Sequence, residues 1–314
     1  MAIGPRAGSA APAASLRPAL ALTLAALFWS GNFIAGRAMR GQIDPVMLNF
    51  ARWLAALVLL APFAWQDACR NAGAIRREWQ LILGLGASGI AAFHTLVYLA
   101  LQTTTAMNAL LLFSLSPVVI LAGAILLGLE SATQRQLAGA TVSVTGAVIL
   151  ITRGDVTQIR NVGFTAGDLW MLLAVAIWSL YSLLLRRRPA DLPQSAALAA
   201  SIAAALLLLG PFLCLSSTTE LAVFASVPIL LSVGYIALFA SVLAFLFWSY
   251  GVSQLGASRS GQFIHLMPVF GAILAVTLLE EIPAPSQIAG AVLVLSGITL
   301  FQLRPRGRTR SQRS

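Results

Sequence analysis

His94 and His265 are the only histidines in this sequence, and each lies on a line of polar side chains at helical spacing. Tyr98 and Gln102 follow His94 at steps of four residues, and Gln262 precedes His265 by one helical turn, so each set shares a helix face. Histidine can gain or lose a proton near neutral pH. Both faces could bind a polar solute or couple its movement to protons. A neutral histidine hydrogen-bonded between helices is the alternative.

Similar short stretches elsewhere combine hydroxyl, amide and indole groups. Such side chains bind neutral or zwitterionic solutes through hydrogen bonds and ring faces. For each aromatic residue, packing in the interior or at a membrane interface is the alternative. The candidates for substrate contact are Trp29, Ser30, Asn32, His94, Tyr98, Asn108, Trp178, Tyr181, Ser182, Gln262 and His265.

The residue patterns of most enzymes are missing from the sequence. Its two histidines and two cysteines lack metal-ligand spacing, and it contains no glycine-rich phosphate loop of the P-loop form. No nucleophile–base pair stands out. We therefore assign no catalytic or metal-binding residue and expect neither a cofactor nor an enzymatic activity.

The polar candidates are embedded in a very apolar chain. Of its 314 residues, 59% are hydrophobic and only 10% are charged, whereas a soluble domain carries about 25% charged residues. The sequence therefore predicts an all-α integral membrane protein, because its apolar segments have the length of membrane helices and none alternates like a barrel strand. The ten predicted spans, numbered 1 to 10 in order, are roughly 19–38, 46–64, 81–100, 104–128, 135–152, 167–185, 195–215, 228–250, 258–279 and 287–303.

Arginine alone supplies the positive charge: all 20 basic residues are arginine, and the net charge is +10. With the amino terminus inside, fifteen arginines fall on the cytoplasmic side and four on the other. Because positive residues stay inside, both termini are predicted to be cytoplasmic, in a multi-pass protein of the cell's inner (cytoplasmic) membrane. The charge marks orientation, and no nucleic-acid partner is expected.

The sequence contains the same segment twice. Residues 106–150 align without a gap on residues 257–301, and 12 of these 45 positions are identical. A similar shift places Trp29 on Trp178 in the first span of each half. Each half has five spans, an odd number, so the halves cross the membrane in opposite directions. Inverted repeats of this kind are typical of proteins that open alternately to the two sides of a membrane.

Two pairs of repeated residues have candidate mechanical roles. Pro117 and Pro268 fall near the middle of spans 4 and 9, where proline frees a carbonyl and permits either a moving hinge or a static kink. Glu130 and Glu281 stand at the ends of the same spans and are candidates for a structural or gating role.

The interior holds one buried charge, Arg52, one helical turn after Asn49. A lone intramembrane arginine points inward to a partner, and both a structural pairing and a role in a cavity remain open. All ten acidic residues lie near span ends or in loops, which disfavours cation exchange through a buried carboxylate. The interior thus suits a neutral or zwitterionic solute.

The repeated pattern resembles a known family. Pro-Val, a Glu thirteen residues after that Pro, then Gln and Gly-Ala, with Trp-Ser in the first span, is similar to the EamA-type domain of the drug/metabolite transporter superfamily. The resemblance covers nearly the whole chain and implies two inverted five-helix repeats around a central cavity, with spans 5 and 10 at the periphery. Members move amino acids, other metabolites, nucleotide sugars or drugs, so the resemblance implies an architecture more than a substrate.

These observations lead to one expected organisation and function. We expect a cytoplasmic tail (1–18), a first repeat (19–152), an external linker (153–166), a second repeat (167–303) and a basic tail (304–314). The leading function is export of amino acids by alternating access. The alternatives are export of another neutral metabolite or a hydrophobic drug, or a passive channel or membrane scaffold. Its expected partners are a small-molecule substrate and the lipid bilayer, with proton coupling left open, in a monomer or homodimer.

Overall fold

The computed structural model describes residues 13–303, apart from residues 153, 156, 158–164, 216–223, 225 and 280–284. Within this part, every long element is a helix and no strand occurs. Helical segments occupy all ten predicted spans, and seven of the described helices are long and apolar enough to cross a membrane. The three others are spans 5, 9 and 10, of which span 10 contains the shorter apolar helix Ile288–Gln302. The protein is an all-α membrane protein of ten spans.

Six spans are single helices whose ends are set by local capping. Asp44 Oδ1 accepts hydrogen bonds from the backbone N–H groups of Val46 and Met47 (2.9 and 3.1 Å) and begins span 2, as expected of an aspartate N-cap. Span 2 extends to Arg70, beyond its predicted end at 64. The apolar run in the sequence ends earlier than the helix because the last helical turns carry charged side chains. The single helices are Ala13–Ala38, Pro45–Arg70, Gln134–Ile151, Ala166–Leu185, Gln194–Leu215 and Pro285–Gln302.

Spans 3 and 8, which are repeat partners, contain π-helical segments at equivalent places. Span 3 runs through Trp79–Leu85, the π segment Gly86–Ala92 and Phe93–Thr103. Span 8 runs through Val227–Tyr235, the π segment Ile236–Leu243 and Ala244–Leu255. π-helical turns are rare and are common at functional sites, so their recurrence indicates that both repeats inherited the same irregularity.

Spans 4 and 9 are interrupted just before their shared proline. Span 4 consists of Ala106–Phe113 and Ser116–Leu126, and span 9 of Ala257–Gly261, a 3-10 turn at Gln262–His265, and Leu266–Leu279. Both prolines were predicted in mid-helix; both instead lie in the first turn of a second helix. Proline lacks an N–H, and its ring clashes with the carbonyl four residues earlier, so the regular α-helix is interrupted before each proline.

Spans 5 and 10 pack tightly along small residues. A Cβ atom on Gly139 would lie 2.8 Å from the Gly297 carbonyl oxygen, and one on Gly146 would lie 2.8 Å from that of Gly290. Since residue 139 corresponds to 290 in the repeat, and 146 to 297, each contact is the symmetry copy of the other. Only small residues allow such an approach, so this seam lies on the pseudo-twofold axis of the molecule.

The remaining contacts repeat the same symmetry. Span 1 packs on spans 8 and 9, while span 6, its repeat partner, packs on spans 3 and 4. Span 2 packs on span 7, its own repeat partner. Spans 1, 3, 4, 6, 8 and 9 therefore surround the centre, and the pair formed by spans 5 and 10 stands to one side.

Candidate functional site

The centre of the bundle is filled by aromatic rings from both repeats. Trp29 and Trp178 meet edge to face with ring centroids 5.0 Å apart, and Trp248 lies 5.4 and 5.3 Å from them. Trp29 Nε1 donates to the carbonyl oxygen of Ala240 in the π segment of span 8 (3.0 Å). The corresponding N–H of Trp178 is buried and has no acceptor among the described residues. In this part of the chain, Trp29 is therefore the member of the pseudo-symmetric pair whose indole donates a hydrogen bond.

Phe245 lies among five of these rings. Its centroid is 4.9 Å from that of Trp53, 5.7 Å from His94 and 5.6 Å from Tyr181, and it is 5.9 Å from the two central tryptophans. The side chain is buried. Phe245 therefore separates the layer containing Trp53 and His94 from the layer containing Tyr181.

Arg52 joins three spans through neutral side chains. Its Nε and Nη2 groups both donate to Ser241 Oγ (3.0 and 2.7 Å), and Nη1 donates to Asn32 Oδ1 (3.0 Å) and Tyr98 Oη (2.7 Å). Tyr98 in turn donates to Asn32 Oδ1 (3.0 Å), and Ser241 donates to the Ile236 carbonyl (2.9 Å). The guanidinium is completely buried. Two of the predicted candidates, Asn32 and Tyr98, thus contact the predicted buried charge.

The polar residues of span 9 form a second buried layer. Both nitrogens of His265 and both polar atoms of the Gln262 side chain are buried and lack a hydrogen-bond partner within the described structure. Their 3-10 turn contacts spans 1, 4, 5 and 10. Ser30 Oγ reaches the same span by donating to the Met267 carbonyl (3.0 Å). These candidates lie beside the aromatic centre, toward the seam of spans 5 and 10.

One end of the bundle carries a polar cluster. Thr104 Oγ1 donates to Asp168 Oδ1 (2.7 Å), and the side-chain amide of Asn108 donates to the same oxygen. Asp168 Oδ2 accepts from the backbone N–H and hydroxyl of Thr165 (2.7 and 3.0 Å). Nearby, Arg37 donates to the Leu101 carbonyl (2.7 Å). These bonds tie the ends of spans 1 and 3 and of spans 4 and 6 together.

The other end, called here the basic end, carries an open vestibule. This cavity of about 650 Å³ is lined by residues that include Glu130, Arg186, Arg188 and Gln194. Arg186 forms an ion pair with Glu130, from span 4, across the vestibule wall. Burial lowers the pKa of Arg188, an effect that the nearby Tyr181 opposes. The vestibule therefore offers both signs of charge to an entering solute.

The vestibule narrows toward the aromatic centre. A smaller cavity of about 20 Å³ shares Arg188 and Gln194 with it and reaches Tyr181 and Phe245. Beyond Phe245 lies the layer of His94 and Trp53. A solute entering from the basic end would thus meet the aromatic centre before the Arg52 cluster.

The structure brings together some predicted site residues and separates others. Trp29, Asn32, His94, Tyr98, Trp178 and Tyr181 gather at the centre, with Ser182 donating to its own helix at the Trp178 carbonyl (2.9 Å). Asn108 lies instead in the polar cluster at one end. Glu130 lies at the vestibule, while Glu281 falls outside the described residues.

Several central residues were not predicted from the sequence. Phe245 lies in a continuous apolar run, where nothing distinguishes a central ring from one facing lipid, while Trp53 and Trp248 stand next to the polar residues Arg52 and Ser249. The sequence also contains no pattern that predicts a role for Ser241. Asp168 did leave one, because Thr followed by Asp three residues later at a helix start is typical of a capping box, and the structure contains it.

The centre can bind a solute chiefly by donating hydrogen bonds and by ring contacts. Its described polar groups are a guanidinium, indole N–H groups, hydroxyls, amides and an imidazole, and no group of three His, Cys, Asp or Glu side chains that could hold a metal occurs in the described part of the chain. Enclosed apolar sites with a few placed polar groups are typical of small-molecule binding.

Comparison with known proteins gives consistent matches. The model of the EamA-like transporter family matches residues 16–152 and again residues 165–303. The chain is 27% identical over 285 residues to an "uncharacterized transporter" of Archaeoglobus fulgidus, covering 90% of this chain and 96% of that protein. It is 27% identical over 299 residues to a "probable terminal-alkyne amino-acid exporter" of Streptantibioticus cattleyicolor, covering 92% and 95%. A solved crystal structure has the same fold, with a TM-score of 0.73 at 20% identity over 92% of this chain and 96% of that one.

Proposed function

The chain belongs to the EamA-like transporter family of the drug/metabolite transporter superfamily, and from this we propose that it is a secondary transporter that exports amino acids by alternating access. One observation carries this proposal. The bundle has an open vestibule at its basic end, while Asp168 and its hydrogen-bond partners join helix ends on the opposite side. An opening on one side, in a protein made of two inverted repeats, is the geometry of a carrier caught in one of its two states.

The basic end is proposed to face the cytoplasm. It carries Arg76, Arg77 and Arg186 to Arg188, whereas the opposite end carries Arg37 and Arg40. Positive residues accumulate on the cytoplasmic side, so the vestibule opens inward and both chain termini lie inside. A solute collected from the cytoplasm and released on the other side is exported.

A zwitterionic substrate agrees with the chemistry of the route. The vestibule presents the Glu130 carboxylate and the guanidinium groups of Arg186 and Arg188 to the same solute. The centre then supplies aromatic faces and hydrogen-bond donors. The relative from Streptantibioticus cattleyicolor has a name that indicates an amino-acid exporter, which supports the same substrate class.

Counterflow in proteoliposomes tests the proposal. Vesicles containing the purified protein are preloaded with one unlabelled amino acid and challenged with the same amino acid carrying a radiolabel. We expect saturable, transient accumulation of label for a subset of amino acids. A passive channel would show linear flux without counterflow, and a scaffold would show no flux. Absence of accumulation for every amino acid would remove this substrate class.

Proton coupling is tested in the same vesicles through the two histidines. His94 lies in the aromatic centre and His265 in the buried layer of span 9. Transport by the wild type and by the double variant His94→Gln/His265→Gln is measured with and without a pH gradient. Loss of the gradient's effect in the variant supports coupling through these residues, and an unchanged effect excludes it.

A further inference from the structure

Among the residues that the structure describes, Arg52 is a positive charge without a negative partner. Its side chain is completely buried, and within the described residues its hydrogen-bond partners are the neutral groups of Ser241, Asn32 and Tyr98. Buried charges are normally paired with an opposite charge or bind an ion. The three neutral partners satisfy most of the guanidinium N–H groups and leave its charge uncompensated. The described part of the site therefore provides no anionic group to Arg52.

The aromatic centre beside Arg52 contains three indole donors, and within the described residues Asn49 Oδ1, one helical turn before Arg52, is a buried acceptor without a partner. The indole N–H groups of Trp53, Trp178 and Trp248 are all buried and have no acceptor within the described structure. An indole can only donate a hydrogen bond. The ring of Trp53 lies next to the guanidinium, with its centroid 5.2 Å from the Arg52 Cζ atom. A ligand that accepts several hydrogen bonds and carries negative charge would complete this arrangement.

Phe245 contacts both the Trp53 ring and the lining of the route of entry. Its ring centroid is 4.9 Å from that of Trp53 and 5.6 Å from that of Tyr181, which lines the inner end of the narrow cavity. Phe245 lies in the helix that follows the π segment of span 8, and Ser241, the partner of Arg52, lies inside that segment. A shift of this part of span 8 would move Phe245 and Ser241 together.

Resting on the proposed function, we propose that Arg52 binds the carboxylate group of the transported amino acid. When Ser241 moves with span 8, the Nε and Nη2 groups that now donate to it become free to donate two parallel hydrogen bonds to a carboxylate, and the Trp53 N–H supplies a further donor. In the state described here, Phe245 covers this site from the vestibule. A site built around a buried charge rejects ligands that cannot neutralise it, so carboxamides of the same amino acids should bind poorly.

Binding to the full-length protein in detergent tests the proposal through its tryptophan fluorescence. The probes are L-leucine, L-threonine and L-phenylalanine, each compared with its carboxamide. We expect at least one acid to bind saturably and at least tenfold more tightly than its amide. Arg52→Gln should weaken acid binding at least tenfold, leave amide binding unchanged and so abolish the preference. The control Arg40→Gln removes an exposed arginine and should keep it.

The ratio of acid to amide affinity separates a binding role from a structural one, because a purely structural arginine would change both affinities alike. If Arg52→Gln does not fold, Trp53→Phe, which removes one N–H and retains a ring, should reduce the ratio severalfold. Binding of no acid, equal binding of acid and amide, or a preference that survives in both variants would overturn the proposal. If amino-acid counterflow occurs but neither variant changes the preference for acid over amide, the role of Arg52 is contradicted and the proposed function stands. If acid binding depends on Arg52 but no counterflow occurs, the proposed function is contradicted and the role of Arg52 in binding stands.

Discussion

Trp29 and Trp178 occupy equivalent positions in the two repeats and contact each other at the centre of the molecule, edge to face at 5.0 Å. On the seam between spans 5 and 10, Ser143 likewise meets its own repeat partner, since its Oγ donates to the Val294 carbonyl (3.3 Å). Residues meet their own symmetry copies only on the axis that relates them. Both pairs therefore lie on the pseudo-twofold axis, and exchanging the conformations of the repeats would leave both contacts possible.

The seam of spans 5 and 10 should not tolerate side chains at its glycines. A Cβ atom on Gly146 would lie 2.6 Å from the backbone nitrogen of Val294, whereas one on Gly234, also in a membrane helix, would meet nothing within 4 Å. We expect Gly146→Ala to destabilise the protein by about 1–3 kcal/mol, the usual cost of overpacking, and Gly234→Ala to have little effect. Thermal unfolding in detergent measures both, and equal melting temperatures would contradict this packing.

The symmetry explains what the sequence could predict. The repeat alone paired Trp29 with Trp178 and Pro117 with Pro268. It could not reveal how Phe245 and Trp53 pack, because their ring contacts come from separate helices. Nor could it find the partners of Arg52, which come from spans 1, 3 and 8. Periodicity describes one helix at a time, whereas these contacts depend on how separate helices are placed.

Ser241 should stabilise the fold through Arg52. Ser241→Ala removes the acceptor of two guanidinium N–H groups, and hydrogen bonds to a charged group contribute about 1.5–3 kcal/mol. The control Thr141→Ala removes an exposed hydroxyl that bonds only within its own helix. We expect a clearly lower melting temperature for Ser241→Ala and almost none of this effect for the control. Similar values for the two would contradict the role of Ser241.

We expect Glu130 and Arg186 to support transport through the attraction of their opposite charges, whichever of the two positions carries the negative charge. Their ion pair lies at the vestibule with side chains 20% and 28% exposed, so solvent limits it to about 0.5–1 kcal/mol. We expect Glu130→Arg and Arg186→Glu each to slow counterflow, because each places like charges together. The double variant should recover most of the rate. If a correctly folded double variant does not recover the counterflow rate, the pair does not act through opposite charge.

Asp168 should hold the end opposite the vestibule closed. Asp168→Asn weakens charge-assisted hydrogen bonds to Thr104, Asn108 and Thr165. The reporter is Ser116→Cys, a buried position two helical turns deeper in span 4 than Asn108, with Cys69 and Cys214 replaced by Ser. We expect a membrane-impermeant maleimide added at this end to label the reporter at least tenfold faster in the Asp168→Asn background. Equal rates would contradict closure by this cluster.

Labelling from each side of the membrane tests alternating access most directly. It compares Ser116→Cys with Ser249→Cys, a position lining the narrow cavity below the vestibule, in sealed vesicles of both orientations. We predict that, without substrate, the reagent reaches Ser249→Cys from the cytoplasmic side only and labels Ser116→Cys slowly from either side. A transported amino acid should speed labelling of Ser116→Cys from outside while slowing that of Ser249→Cys from inside. Labelling of one position from both sides at equal rates would identify a continuous pore and contradict the account.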